Sequence, residues 1–85
     1  KETEELDAGF YPNPVTSLLH VTVNDIDGEI RLEVLNALGE SIILGQLEGN
    51  ASSAINCNML PAGIYFLRLF DEQSRRSYVT TFTKR

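Results

Sequence analysis

Glu29-Ile30-Arg31-Leu32-Glu33-Val34-Leu35-Asn36-Ala37-Leu38-Gly39 is the stretch that decides how this chain folds. Ile30, Leu32 and Val34 alternate with Glu29, Arg31 and Glu33, a period of two that suits a half-buried strand. A helix would scatter the same residues around its axis. Asn36-Ala37-Leu38-Gly39 then fits a type I turn closed by Gly39 in the left-handed region, the usual route to a bulged hairpin. Ser41–Leu47, rich in Ile and Leu, is the returning strand.

The same grammar extends in both directions. Upstream, Leu19, Val21 and Val23 alternate with His20, Thr22 and Asn24, and Asn24-Asp25-Ile26-Asp27-Gly28 is turn chemistry. Pro12 and Pro14 remove two backbone donors and bias their predecessors to extended geometry, so Tyr11–Val15 is a stiff, non-helical lead-in. Lys1–Asp7 has one apolar residue in seven and reads as linker. The expected organisation is therefore an acidic linker over residues 1–9 and one folded domain over residues 10–85.

Downstream, Gly49-Asn50 turns the chain and Ser53–Cys57 alternates, with Ile55 and Cys57 predicted inward. Leu60-Pro61-Ala62-Gly63 places Pro second and Gly fourth, as a type I turn prefers. Ile64–Phe70 is apolar on both faces except at Arg68, which predicts a strand that is central or covered on both sides. Asp71–Ser74 is a polar hairpin loop, and Ser77–Thr83 is the final strand. No segment sustains a helical period of about 3.6. About seven short strands predict an all-β antiparallel sandwich, with its strand order open.

Composition narrows the function. At 85 residues and 42% hydrophobic, the chain is one small globular domain. Cys57 is its single cysteine, so sandwich packing must hold the fold without an internal disulfide. The net charge of −5 is uneven: residues 1–67 carry −8 and residues 68–85 carry +3. A basic end on an acidic body can orient a domain toward an electronegative partner, or it can simply protect an edge strand. No run reaches the roughly 18–20 apolar residues of a membrane span, and no secretory signal stands at the start. The abrupt charged beginning is expected of a piece cut from a longer protein, whose own signal peptide lies elsewhere.

Catalytic and metal chemistry find little support. His20 is the single histidine and lies on the strand face opposite Leu19 and Val21, while Cys57 points inward, so neither a triad nor a dyad can be built. Asp25-Ile26-Asp27-Gly28 fails as an EF-hand, because Val23 and Val34 fall where carboxylates are required. Glu29 and Glu33 share a strand face but have no cleft to act across. The glycines are scattered singly, which excludes a phosphate loop, and Asn50-Ala51-Ser52 matches a glycosylation sequon. The acidic balance argues against nucleic-acid binding. The chain is expected to be no enzyme and to need no cofactor or metal.

What remains is a linear pattern. Tyr11-Pro12-Asn13-Pro14-Val15, Asn36-Ala37-Leu38-Gly39-Glu40, Leu60-Pro61-Ala62-Gly63-Ile64-Tyr65 and a closing strand that runs to Lys84-Arg85 follow one another in order. Over Phe10–Arg85 this resembles the C-terminal sorting domain of the type IX (Por) secretion system of Bacteroidetes-type bacteria, type A, with its small immunoglobulin-like β-sandwich. It departs from that pattern at Thr81, where members often carry a lysine, at Phe82-Thr83 and at Cys57. The resemblance implies a signal that carries a cargo through the periplasm and across the outer membrane to the cell surface or the outside. The implied partners are the outer-membrane translocon, a cell-surface sortase that removes the domain, and the cargo in the same chain. Pro12, Asn13 and Pro14 would shape the lead-in, and Gly39 and Gly63 would permit the turns. Tyr65 would anchor the core, and Lys84 with Arg85 would complete the signal as a basic terminus. The alternative is a non-catalytic carbohydrate-binding or adhesive β-sandwich module, which the absence of Trp disfavours.

Overall fold

Alternation in the sequence becomes alternation of burial in the computed structural model, which describes residues 6–85. Ile30, Leu32 and Val34 face the core, while Glu29 and Arg31 face water. Seven strands follow: β1 (Asp7–Tyr11), β2 (Leu18–Asn24), β3 (Glu29–Leu35), β4 (Ser41–Glu48), β5 (Ala51–Asn56), β6 (Gly63–Asp71) and β7 (Arg76–Lys84). They form a three-stranded sheet in the order β1-β2-β5 and a four-stranded sheet in the order β4-β3-β6-β7, every strand pair antiparallel. Leu19, Val21, Val23 and Ile55 of one sheet and Ile30, Val34, Leu67, Leu69 and Phe82 of the other fill the space between the layers. The fold is the all-β sandwich that the pattern predicts.

The middle hairpin has the predicted bulge. Asn36 N–H donates to Glu40 O and Gly39 N–H to Asn36 O, both at 2.9 Å, with Gly39 at φ +85°. Val34 pairs with Ile43 and Leu35 with Ser41, so Ile42 is the extra residue on β4.

β6 is central in its sheet, between β3 and β7, one of the two placements its pattern predicts, and only one of its faces meets another layer. Ile64 remains 59% exposed, and Phe66 and Phe70 are half-buried beside same-face neighbours such as Leu35, Arg31, Thr81 and Ser77. One expectation changes: the fold begins before Phe10. Leu6 is 3% exposed and its N–H donates to Ser77 O at 3.0 Å, while Asp7, Ala8 and Gly9 pair with Asn24, Val23 and Thr22. The apolar residue that the acidic stretch contains is the one that enters the core; residues 1–5 of the expected linker lie outside the described residues.

At the β6–β7 hairpin, Ser74 donates to Asp71 Oδ2 from both its hydroxyl (2.6 Å) and its N–H (3.1 Å). The Ser74 hydroxyl, aided by backbone donors and by Arg76, holds the Asp71 carboxyl below its ordinary value near 3.8, against the opposing effect of burial. A carboxylate lowered in the folded state stabilises that state above the ordinary value and ceases to as pH falls through the folded one.

Two outcomes follow from these placements. Leu6→Ala should cost about 2–3 kcal/mol in urea unfolding, and an unchanged midpoint would put the start of the fold back at Phe10. Ser74→Ala should move the acid loss of stability, followed between about pH 2 and 5, toward higher pH; superimposable profiles would remove Asp71 as a source of acid sensitivity.

Candidate functional site

The two prolines decide where β1 ends. Neither Pro12 nor Pro14 can donate to a ladder, so after Tyr11 the chain leaves the three-stranded sheet and crosses to the outer edge of β7. Both prolyl peptide bonds, Tyr11-Pro12 and Asn13-Pro14, are cis. Between them the Asn13 side chain reaches Thr83: its Oδ1 accepts the Thr83 N–H at 2.9 Å. Val15, fully buried, donates its N–H to Thr83 O at 2.8 Å and accepts the Arg85 N–H at 2.9 Å. The lead-in is thus bonded to the end of the last strand, 70 residues away.

The Leu60-Pro61-Ala62-Gly63 turn is tied to the same place. Tyr65 OH donates to Pro61 O at 2.6 Å, and its ring stacks on Phe82 at 5.7 Å between centroids. Gly63 has φ +155°, where a side chain would be strained. Lys84 Nζ donates to Leu60 O at 2.9 Å. Two successive turn carbonyls are therefore taken by Tyr65 and Lys84. A basic terminus invites the picture of two lysine and arginine side chains in water; Lys84 is instead only 7% exposed, while Arg85 is exposed. Buried Cys57 lies near this ammonium. Burial pushes its thiol above the usual range, with the Lys84 charge acting against that rise.

The Asn36–Glu40 hairpin stands at the same end of the four-stranded sheet, because Leu35 pairs with Phe66 and Gly63 with Lys84. Asn36 organises it. Its Oδ1 accepts the N–H of Leu38 and of Glu40, both at 2.9 Å, and its Nδ2 donates to Glu40 Oε1 at 2.7 Å. Pro12, Asn13, Pro14, Gly39, Gly63, Tyr65, Lys84 and Arg85 are thus gathered at one end of the sandwich. Asn36, Val15 and Thr83 belong with them. An Asn opening a Gly-terminated turn was a readable signal for the first; the other two are legible only once β7 is placed.

The chemistry at this end is that of hydrogen-bonded turns. His20 is stacked on Tyr11 at 5.0 Å on the outer face of the three-stranded sheet, with no acid or thiol of the described residues bonded to it. Among the described residues, no group of three or more His, Cys, Asp or Glu could hold a metal ion.

Against this geometry the comparison with known families is direct. The family model described as the secretion system C-terminal sorting domain matches residues 9–83. The chain belongs to this family. A comparison with curated proteins gave no match. As a type IX sorting domain it is a secretion signal, interacts with that secretion system, and passes through the periplasm to the cell surface or the outside. The family is not an enzyme family. The match spans three of the motif segments that meet at one end of this domain and the closing strand as far as Thr83.

Lys84 and Arg85 separate by experiment. Lys84→Ala strands the Leu60 carbonyl and should cost about 1–3 kcal/mol in chemical denaturation, whereas Arg85→Ala should stay within about 0.5 kcal/mol. Equal effects would mean that the two residues do not differ in their roles in the fold.

Proposed function

We propose that the end of the sandwich where the motif segments meet, together with β7 leading into it, is the surface that the outer-membrane translocation machinery reads. The cargo joins the sorting domain on the N-terminal side of Leu6. A cell-surface sortase cuts in that segment, and the cargo is anchored to an anionic lipopolysaccharide or released. The observation that carries this reading is the convergence itself. Asn13 and Val15 on Thr83, Lys84 on Leu60 and Tyr65 on Pro61 tie the lead-in, the Leu60–Gly63 turn and the last strand into one surface. Within it, the Arg85 side chain is exposed and available to a partner.

The burial of Lys84 dictates the choice of variant. Deleting Lys84-Arg85 would remove a turn-capping ammonium as well as an exposed cation, so loss of export would not distinguish misfolding from lost recognition. Arg85→Glu alters the exposed charge alone. In a host that carries the type IX system, a reporter fused to residues 1–85 should reach the surface or the medium. Its Arg85→Glu version should accumulate in the periplasm with an unchanged unfolding midpoint. Full export of the Arg85→Glu fusion would remove that charge from the signal.

A further inference from the structure

The outer edge of β7 is closed at both ends and open between them. Leu6 N–H occupies Ser77 O at one end; at the other, Asn13 and Val15 occupy the N–H and C=O of Thr83, and Val15 O holds the Arg85 N–H. These bonds show that the odd-numbered residues of β7 turn their backbone groups away from β6. The direction alternates along an antiparallel ladder, so Val79 and Thr81 point their N–H and C=O outward too. Among the described residues no partner meets them there: β7 pairs with β6 alone, and no other bond reaches either residue. The open window between Ser77 and Thr83 spans about 20 Å. Val79, 59% exposed, stands beside it.

Charge selects what can enter. From Arg75 to Arg85 the sequence contains no acid, and exposed Arg75 and Arg85 flank the window. A second copy of β7 added antiparallel about Thr80 would set Arg85 opposite Arg75, a like-charge pairing that opposes self-association. A strand with carboxylates at its two ends meets the reverse situation. The same edge that rejects its own copy thus complements an acid-flanked segment.

We propose that the Ser77–Thr83 window docks an extended strand of a partner protein. That strand would be about five residues long, apolar or β-branched in the middle and carboxylate-bearing at both ends. The inference deepens the sorting reading and rests on it for the source of that strand. Its test needs only the purified chain, so either can fail while the other stands.

The probes are two synthetic peptides, Asp-Thr-Val-Thr-Val-Asp and Lys-Thr-Val-Thr-Val-Lys, titrated against the 85-residue chain and followed by amide exchange and chemical shifts. The acid-flanked peptide should slow exchange at the Val79 and Thr81 amides. At low salt it should bind at least about tenfold more tightly than the lysine-flanked one, an advantage that shrinks as salt screens it. Thr81→Pro removes an outward N–H without touching the ladder to β6 and should weaken binding at least about tenfold. N-methylation of the Val79 amide by semisynthesis serves the same purpose should the proline variant fail to fold. Unchanged exchange at Val79 and Thr81 with both peptides, equal binding of the two, or protection confined to the free edge of β4 would each overturn the proposal.

Discussion

The two backbone bonds and one side-chain bond that join Asn13 and Val15 to the end of β7 are the constraint on which the rest depends. Sandwich layers attract each other through apolar contact, which is non-directional and leaves the relative position of the two sheets loosely specified. The lead-in after β1 supplies the missing direction. Two prolines end the β1–β2 ladder, and the chain crosses between layers at Val15, which is buried to 0% exposure. Because Asn13 and Thr83 are 70 residues apart, this contact closes nearly the whole chain on itself. Its loop-closure cost grows only logarithmically with that length. A small domain with one free cysteine and no disulfide among its described residues thus gains a tie between its beginning and its end by hydrogen bonding alone.

Lys84 shows how the same end resolves its polar groups. The turn that begins Leu60-Pro61 presents two part-buried carbonyls, and an acceptor drawn out of water without a donor is costly. Tyr65 reaches back four residues to one carbonyl, and Lys84 arrives from β7 to the other. The lysine stem lies over the core while its ammonium is spent on the turn. Arg85, one residue later, has the opposite orientation and faces water. Adjacent basic residues at the end of a strand therefore divide between holding the fold and presenting charge, simply because side chains alternate across a sheet.

How much of this was legible follows from the range of each interaction. Period two in Glu29–Leu35 and the Asn36–Gly39 turn are local, and the structure reproduces both, down to the left-handed Gly39 and the bulge. Leu6 was hidden because a single apolar residue among acids has no periodicity to mark it, and the bond that places it beside the core is made to Ser77, far away in sequence. The pattern of β6 left two placements open, central or covered on both faces; the strand is central, and sidelong contact within the sheet half-buries Phe66 and Phe70 while Ile64 stays exposed. The site residues could be picked out one by one from turn chemistry and family likeness. Their assembly could not, since it depends on the order β4-β3-β6-β7, which no local pattern encodes.

That dependence bears on what a sorting domain can report. Asn13, Leu60, Tyr65 and Lys84 come together only when both sheets have formed and the last strand has been placed. An unfolded chain offers the same residues but not the surface, because its closing contact joins residues 70 apart in sequence. A partner that reads this end therefore reads completion of the fold as well as the identity of the residues. A short linear tail could not carry both. The compact end is built from segments that are individually plain turns, and it exists only once residues spread along the chain have been brought to one place.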